Sequence, residues 1–305
     1  MWAPPAPRRS AVPAYTPPLA PIQGGDVAGM VDASGAEVLA RLNEVAGRVP
    51  ALAVAGGVAA VALCLMVAND AAPWALGVVA AAVAVVVGVA WRADASRLRL
   101  DLRYDVSGPV QGAFAALAAA VDDVGRSALV RRVDAHGATH DWKRNAGAGA
   151  LVDSTDVRLA SGLPPRVTSN ITVPVLPAGR QTLYLFPDRI LVRDGGRYGA
   201  VAYADVAAET AITRFIEERA TPHDAQQVGT TWRFVRVDGG PDRRFNNNRQ
   251  IPIYLYGQLD LASASGLRSR FHCSRPDAVR RLADALRGVA HAHQTRGTPV
   301  APRGR

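Results

Sequence analysis

Between residues 51 and 91 the chain carries two apolar runs, residues 51–68 and 72–91, broken only by Asn69, Asp70 and Ala71. Each is close to the ~20 residues a helix needs to cross the hydrocarbon core of a bilayer, and neither holds a charged side chain. The spacing predicts two transmembrane helices joined by a tight turn, a hairpin that leaves both chain ends on one side. A cleaved signal peptide would start near Met1 with an apolar stretch of roughly 7–15 residues, whereas the first run begins some fifty residues in. Gly56, Gly57 and Ala60 on one run and Gly77, Ala80, Ala81, Ala84 and Gly88 on the other would let two backbones approach closely. The same small-residue faces offer a route to oligomers.

The turn lacks Lys and Arg, while Arg41 and Arg48 precede the first run and Arg92, Arg97, Arg99 and Arg103 follow the second. This asymmetry predicts a two-pass, multi-pass-type protein of the bacterial plasma (inner) membrane with both termini cytoplasmic. Trp74 and Trp91 sit where indoles favour the headgroup layer. Cys64 and Cys273 are the only cysteines and imply no disulfide framework.

Composition then sets the boundaries. Residues 1–28 hold seven prolines from Pro4 to Pro21 and read as a disordered, Pro-rich tail. Residues 29–48 read as an amphipathic interfacial helix, with Ser34 and Glu37 at capping-box spacing and Val38, Leu39, Leu42, Val45 and Ala46 on one face. The hairpin occupies 49–92, a juxtamembrane α+β region 93–180, a β-domain 181–290 and a second disordered tail 291–305. Because the strand beginning at Leu98 has partners of its own, a fragment lacking residues 1–91 is expected to fold.

The net charge of +9 resides after the hairpin, since 31 Lys and Arg against 21 Asp and Glu follow from Arg92 onward. A basic body of this kind is attracted to anionic lipid or to an acidic protein partner. No basic run with interleaved aromatics marks a nucleic-acid groove, and arginines scattered over a solvated surface account for much of the charge.

Leu98, Leu100, Leu102 and Tyr104 alternate with Arg99, Asp101 and Arg103 as a half-buried strand does. A helix follows from Pro109, with Val110, Phe114, Leu117, Val121 and Val124 on one face, and then a strand over residues 128–134. From Gln181 the pattern predicts seven short strands, at 182–186, 189–193, 198–203, 211–217, 230–237, 251–261 and 267–273, with a hairpin turn at Gly195-Gly196. One helix from Pro276 ends the series, its stripe made by Val279, Leu282, Ala283, Leu286 and Val289. The fold class expected is α+β: a transmembrane hairpin, a cytoplasmic strand-helix-strand unit and a pleckstrin-homology-like (PH-like) seven-stranded half-barrel with a C-terminal helix.

The stretches LYLFPDRILVRDGGRYGAVAYADV (residues 183–206) and TWRFVRVDGGPDRRFNNNRQIPIYLYGQLDL (residues 231–261) resemble a group of uncharacterised bacterial membrane-anchored proteins with a PH-like C-terminal domain. The resemblance covers roughly residues 98–286, including HDWKRNAGA at 140–148, and its most specific string is GGPDRRFNNNR. It implies a binding scaffold and no assigned reaction.

Inventory removes several chemistries. Lys143 is the only lysine and follows no glycine-rich loop, so a Walker A cradle is absent. The chain has no Cys-x-x-Cys, His-Glu-x-x-His or Gly-x-Ser-x-Gly. His136 and His140 stand four apart but in a loop-like HGATHD, which favours no metal, and no cofactor is expected. Two polar clusters remain. The first is His140, Asp141, Trp142, Lys143, Arg144 and Asn145, where an ammonium persists in a chain that otherwise uses Arg; a solvated loop is its plainer reading. The second is Asp242, Arg243, Arg244, Asn246, Asn247, Asn248 and Arg249, whose three amides and three guanidiniums either bind a ligand or form an internal network. Lys143, Arg144 and Asn145 with these seven residues are the candidate ligand-binding set, with no catalytic residue assigned. The function expected is a membrane-anchored, non-enzymatic binding or scaffold module. The alternative is a tethered hydrolase or transferase using both clusters, which requires them to meet in one concave site.

Overall fold

The computed structural model describes residues 20–30, 36–47, 51–68, 73–97, 100–105, 108–138, 150–218, 221–236 and 238–296. In chain order the elements are β1 (Ala20–Pro21), a 3-10 turn (Val27–Gly29), α1 (Ala36–Gly47), α2 (Ala51–Ala68), α3 (Pro73–Arg97), β2 (Leu100–Leu102), α4 (Pro109–Gly125), β3 (Val130–Ala138) and β4 (Ala150–Asp156). They continue with β5 (Ala160–Gly162), β6 (Val167–Ser169), β7 (Val173–Ala178), β8 (Gln181–Leu185), β9 (Arg189–Asp194) and β10 (Arg197–Ala202). The chain closes with β11 (Val206–Ile216), β12 (Gln226–Trp232), β13 (Gln250–Ser263), β14 (Arg268–Cys273) and α5 (Pro276–Arg296).

The described strands form three sheets. A seven-stranded sheet runs β1-β3-β14-β13-β11, with β4 on β3 and β12 on β13; a five-stranded sheet runs β10-β9-β8-β7-β5; β2 and β6 make a short parallel pair. This differs from a single PH-like half-barrel over residues 181–290. The seven expected strands form, but β8–β10 leave the others and join β5 and β7, while β11, β13 and β14 recruit β3 and β4. The expected division at residue 180 therefore runs through both sheets.

The reason lies in the side-chain alternation of residues 183–192. Leu183, Leu185, Ile190 and Val192 enter the main core with Leu117 and Val121 of α4, Leu259, Leu261 and Phe271 of the larger sheet, and Leu282, Leu286 and Val289 of α5. Tyr184, Phe186 and Leu191 point the other way, into a second core with Leu39, Leu42, Leu100, Leu102, Tyr104 and Val167. Period-two alternation with apolar groups at both phases demands cover on both faces of the sheet. The larger sheet and α4–α5 cover one face, and α1 with β2–β6 covers the other.

That second core corrects the expected interfacial helix over 29–48. The apolar face of α1 is filled by protein: Leu39 and Leu42 are buried in the second core, and Asn43 accepts from Tyr198 N at 2.7 Å and donates to Tyr198 O at 2.8 Å. Arg166, in the left-handed region at φ 66°, caps the C-terminal carbonyls of Val45 and Ala46 at 2.7 and 3.0 Å.

The transmembrane hairpin is corrected too. Both helices form and pack on each other, but among the described residues no helix is long and apolar enough to cross a membrane. The 18 residues of α2 rise about 27 Å at 1.5 Å each, short of the ~30 Å hydrocarbon core. The longer α3 takes Arg92, Asp94 and Arg97 into its last turns. The expectation of a two-pass inner-membrane protein with cytoplasmic termini, built on that hairpin, falls with it. Val58, Val61 and Leu65 of α2 and Trp74, Val78, Val85, Val86, Val89 and Trp91 of α3 are exposed.

Both expected tails are shorter than 1–28 and 291–305 where they are described. Residues 20–30 strap the two sheets together: Ala20 and Pro21 pair with His136 and Ala135, and Val27 and Met30 lie in the main core. At the other end α5 continues to Arg296.

Candidate functional site

The loop between β12 and β13 resolves the two readings of its polar cluster residue by residue. Asp242 is buried and takes the Arg244 guanidinium on both oxygens, Nε at 3.0 and 3.1 Å and Nη2 at 2.6 Å, with Arg244 N at 3.1 Å. These bonds hold its carboxyl down at about 2. Asn248 acts as a backbone mimic, accepting from Phe234 N at 2.9 Å and donating to Phe234 O at 2.7 Å. The Phe234 and Phe245 rings stack at 4.0 Å, Val235 bridges Pro241, and Arg249 pairs loosely with Glu218 at 3.7 Å. Asp242, Arg244 and Asn248 therefore hold the loop in shape, while Arg243, Asn246 and Asn247 are exposed. Lys143, Arg144 and Asn145, with His140, Asp141 and Trp142, lie outside the described residues.

Asn248→Ala is expected to cost about 2 kcal/mol, two hydrogen bonds at ~1 kcal/mol each, whereas Asn247→Ala leaves urea unfolding unchanged. Equal effects at the two positions would show that the loop is not organised around Phe234.

A concave site lies elsewhere. A cleft of about 360 Å³ opens where the strap, β3 and the β7–β8 hairpin meet, lined by Ile22, Gln23, Gly24, Arg132, Asp134, Ala178, Gly179, Arg180, Gln181 and Asp194. Its volume is within the range of small-molecule sites, ~300–1,000 Å³. On β3, Arg132 Nε donates to Asp134 Oδ1 at 2.6 Å, and Thr155 Oγ1 donates to Asp134 Oδ2 at 2.6 Å. Both oxygens of Asp134 are thereby engaged. Across the cleft Arg180 reaches Asp194 only at 3.4 Å and stays 82 % exposed, against 20 % for Asp194.

Backbone shape makes room for this arrangement. Gly179 has φ +80°, a left-handed backbone that favours glycine, and a Cβ there would stand 3.1 Å from Arg132 Nη1 and crowd the guanidinium. Gln181, buried in the wall, donates from Nε2 to Gly25 O at 2.9 Å and fastens the strap.

Neither the cleft nor the strap was anticipated from the sequence, because the cleft residues come from segments scattered between Ile22 and Asp194. The only local signal was the turn sequence PAGRQ at 177–181, between two apolar stretches.

Two buried polar networks were also missed. Arg131, buried on β3, donates to Glu217 Oε2 at 2.5 Å and to Asp156 Oδ1 at 2.7 Å, and Tyr256 donates to Glu217 Oε2 at 2.9 Å. Burial pushes the Tyr256 phenol up and the neighbouring His272 imidazole down to about 4. In the second network Arg189 Nε donates to Asp188 Oδ2 at 2.7 Å, burial raises the Asp188 carboxyl, and Tyr203 donates to Phe186 O at 2.7 Å. Family models, curated proteins and solved structures offer no match to the chain.

Proposed function

We propose that the protein is a non-enzymatic binding module whose strap-walled cleft receives a small polar ligand carrying a carboxylate or phosphate. The observation that carries the reading is the pairing in that cleft. Asp134 is saturated by Arg132 and Thr155, whereas Arg180 is exposed and only weakly engaged. An incoming anion gains charge-assisted bonds from Arg180 and from the Nη1 edge of Arg132 at small cost in broken contacts. Among the described residues the groups with large shifts in protonation, Tyr104, Tyr203, Tyr256 and His272 in the cores and Asp242 in the β12–β13 loop, line no part of this cleft, which supports binding over acid–base catalysis.

Calorimetric titration with inorganic phosphate and with succinate tests the reading. Arg180→Ala is expected to weaken binding at least about tenfold, one charge-assisted bond being worth ~1.5–3 kcal/mol, with the melting temperature unchanged. Failure of both probes to bind, or equal affinity in the variant, would remove the cleft as the binding site.

A further inference from the structure

The edge of the larger sheet carries a second surface, independent of the cleft. Strand β11 ends the sheet and pairs with β13 through eleven consecutive positions, from Val206↔Ser263 to Ile216↔Ile253, without a register shift. Three bonds fix which way its main-chain groups point. Glu217 N donates inward to Pro252 O at 3.1 Å, Ala208 O accepts Arg287 Nη2 at 2.9 Å, and Val206 N bonds Tyr203 O. Odd-numbered residues thus serve the ladder with β13, and the N–H and C=O groups of Thr210, Ile212 and Arg214 point off the sheet. All three residues are exposed, Ile212 at 66 %.

Other edges of this fold are blunted. The β10 edge is occupied by Met30 O on Ala200 N and by Asn43 on Tyr198; β5 is three residues long; β12 contains a register shift between Gln227 and Gly229, and the shift in the β3–β4 ladder falls at Asp134 of β3. Held main-chain groups, short strands and bulges are devices that keep sheet edges from pairing with another chain. Strand β11 has no proline, glycine, lysine or bulge.

We infer that β11 pairs antiparallel with β11 of a second copy of this chain, about a twofold axis at Ile212. The register follows from which groups are unheld. With the axis at Ile212, Thr210 faces Arg214 of the second copy, Ile212 faces itself, and three residue pairs exchange six main-chain hydrogen bonds. An axis at Thr210 or Ala211 sets Ala208, whose carbonyl Arg287 already holds, opposite Ile212 or Arg214 and leaves at most two pairs clear of it. An axis at Thr213 sets Glu209 opposite Glu217, and one at Arg214 opposes two guanidiniums, both like-charge pairings that cost stability. The Ile212 register alone joins three pairs clear of the Ala208 carbonyl without opposing like charges; it covers an exposed isoleucine and closes as an isologous dimer.

Oxidative cross-linking of the full chain tests the register in a Cys64→Ser background, since Cys64 is exposed and Cys273 buried. Ile212→Cys is expected to form a disulfide dimer, because facing hydrogen-bonded residues have Cα atoms ~5.5 Å apart, within disulfide reach. Thr210→Cys is expected to form no disulfide cross-link, its two copies lying about four residues, ~14 Å, apart along the strands. In the unmodified chain, amide exchange at Thr210, Ile212 and Arg214 is expected to slow at least about tenfold between dilute and concentrated samples, while Ala211 and Thr213 do not change. Absence of the Ile212→Cys dimer, equal cross-linking at Thr210→Cys, or concentration-independent exchange at the three amides would overturn the pairing.

Discussion

Glu217→Ala is expected to lower the unfolding free energy by about 3–5 kcal/mol, the size found when one partner of a buried ion pair is removed. Arg131 and Glu217 are each 3 % exposed and Tyr256 is fully buried. Truncating the carboxylate leaves a guanidinium in the protein interior with Asp156, whose side chain is 71 % exposed, as its remaining acidic partner, and strips the Tyr256 phenol of its acceptor. The double variant Arg131→Met, Glu217→Leu removes both charges together and is expected to lie within about 2 kcal/mol of the unmodified protein, because desolvating a buried pair offsets much of its attraction. Urea unfolding of the three proteins measures this directly. A loss below about 1 kcal/mol in Glu217→Ala would mean that water reaches the pair.

The consequence extends to the cleft, because Arg131 and Arg132 are consecutive on β3 and strand geometry sends them to opposite faces. Arg131 enters the buried network, and Arg132 enters the cleft with Asp134 and Gly179. The network therefore fixes the strand from which the cleft guanidinium projects. Anion binding is expected to weaken in Glu217→Ala even under conditions where the variant remains folded.

The same dipeptide shows what could be read in the sequence and what could not. Two adjacent arginines look alike in a chain with 35 Lys and Arg. What distinguishes them is a partner 86 residues away for one and a hairpin glycine 47 positions away for the other. Local patterns were legible: strands form close to the expected 182–186 and 189–193, the chain turns at Gly195-Gly196, and the stripe of α5 is buried. Assignment of strands to sheets was not, since β8–β10 and β11–β14 are neighbours in sequence but complete different sheets. The apolar runs were legible as helices, yet run length and charge placement decided against spanning. In the Asp242–Arg249 loop composition announced a polar network, but not that Asn248 would hold Phe234 while Asn246 and Asn247 faced solvent.

The strap was the costliest omission, and it reverses the expectation that the chain folds without its first 91 residues. A proline-rich composition hid the fact that Val27 and Met30 are 2 % and 0 % exposed. Gly25 N donates to Gly266 O at 2.7 Å, Ile22 N to Asp134 O at 2.8 Å, and Ala200 N to Met30 O at 2.8 Å. One short segment thus reaches β3, the β13–β14 turn and the β10 edge. Gly199 belongs to the same fit, because a Cβ there would meet Val27 O at 2.6 Å and Met30 Cβ at 2.8 Å. Burying one valine and one methionine is worth roughly 1.5–3 kcal/mol each, and removing them opens a cavity besides. With the lost hydrogen bonds the deficit exceeds about 5 kcal/mol, comparable with the whole stability of a typical domain. A fragment starting at residue 31 is therefore expected to lose its cooperative thermal transition and its near-ultraviolet circular dichroism. Met30→Ala in the full chain is expected to lose about 2–5 kcal/mol, which separates failure of the strap from any effect of shortening the chain. If the fragment melted within a few degrees of the full chain, the strap would be an appendage. The two sheets would then hold together through α4, α5 and the main core alone.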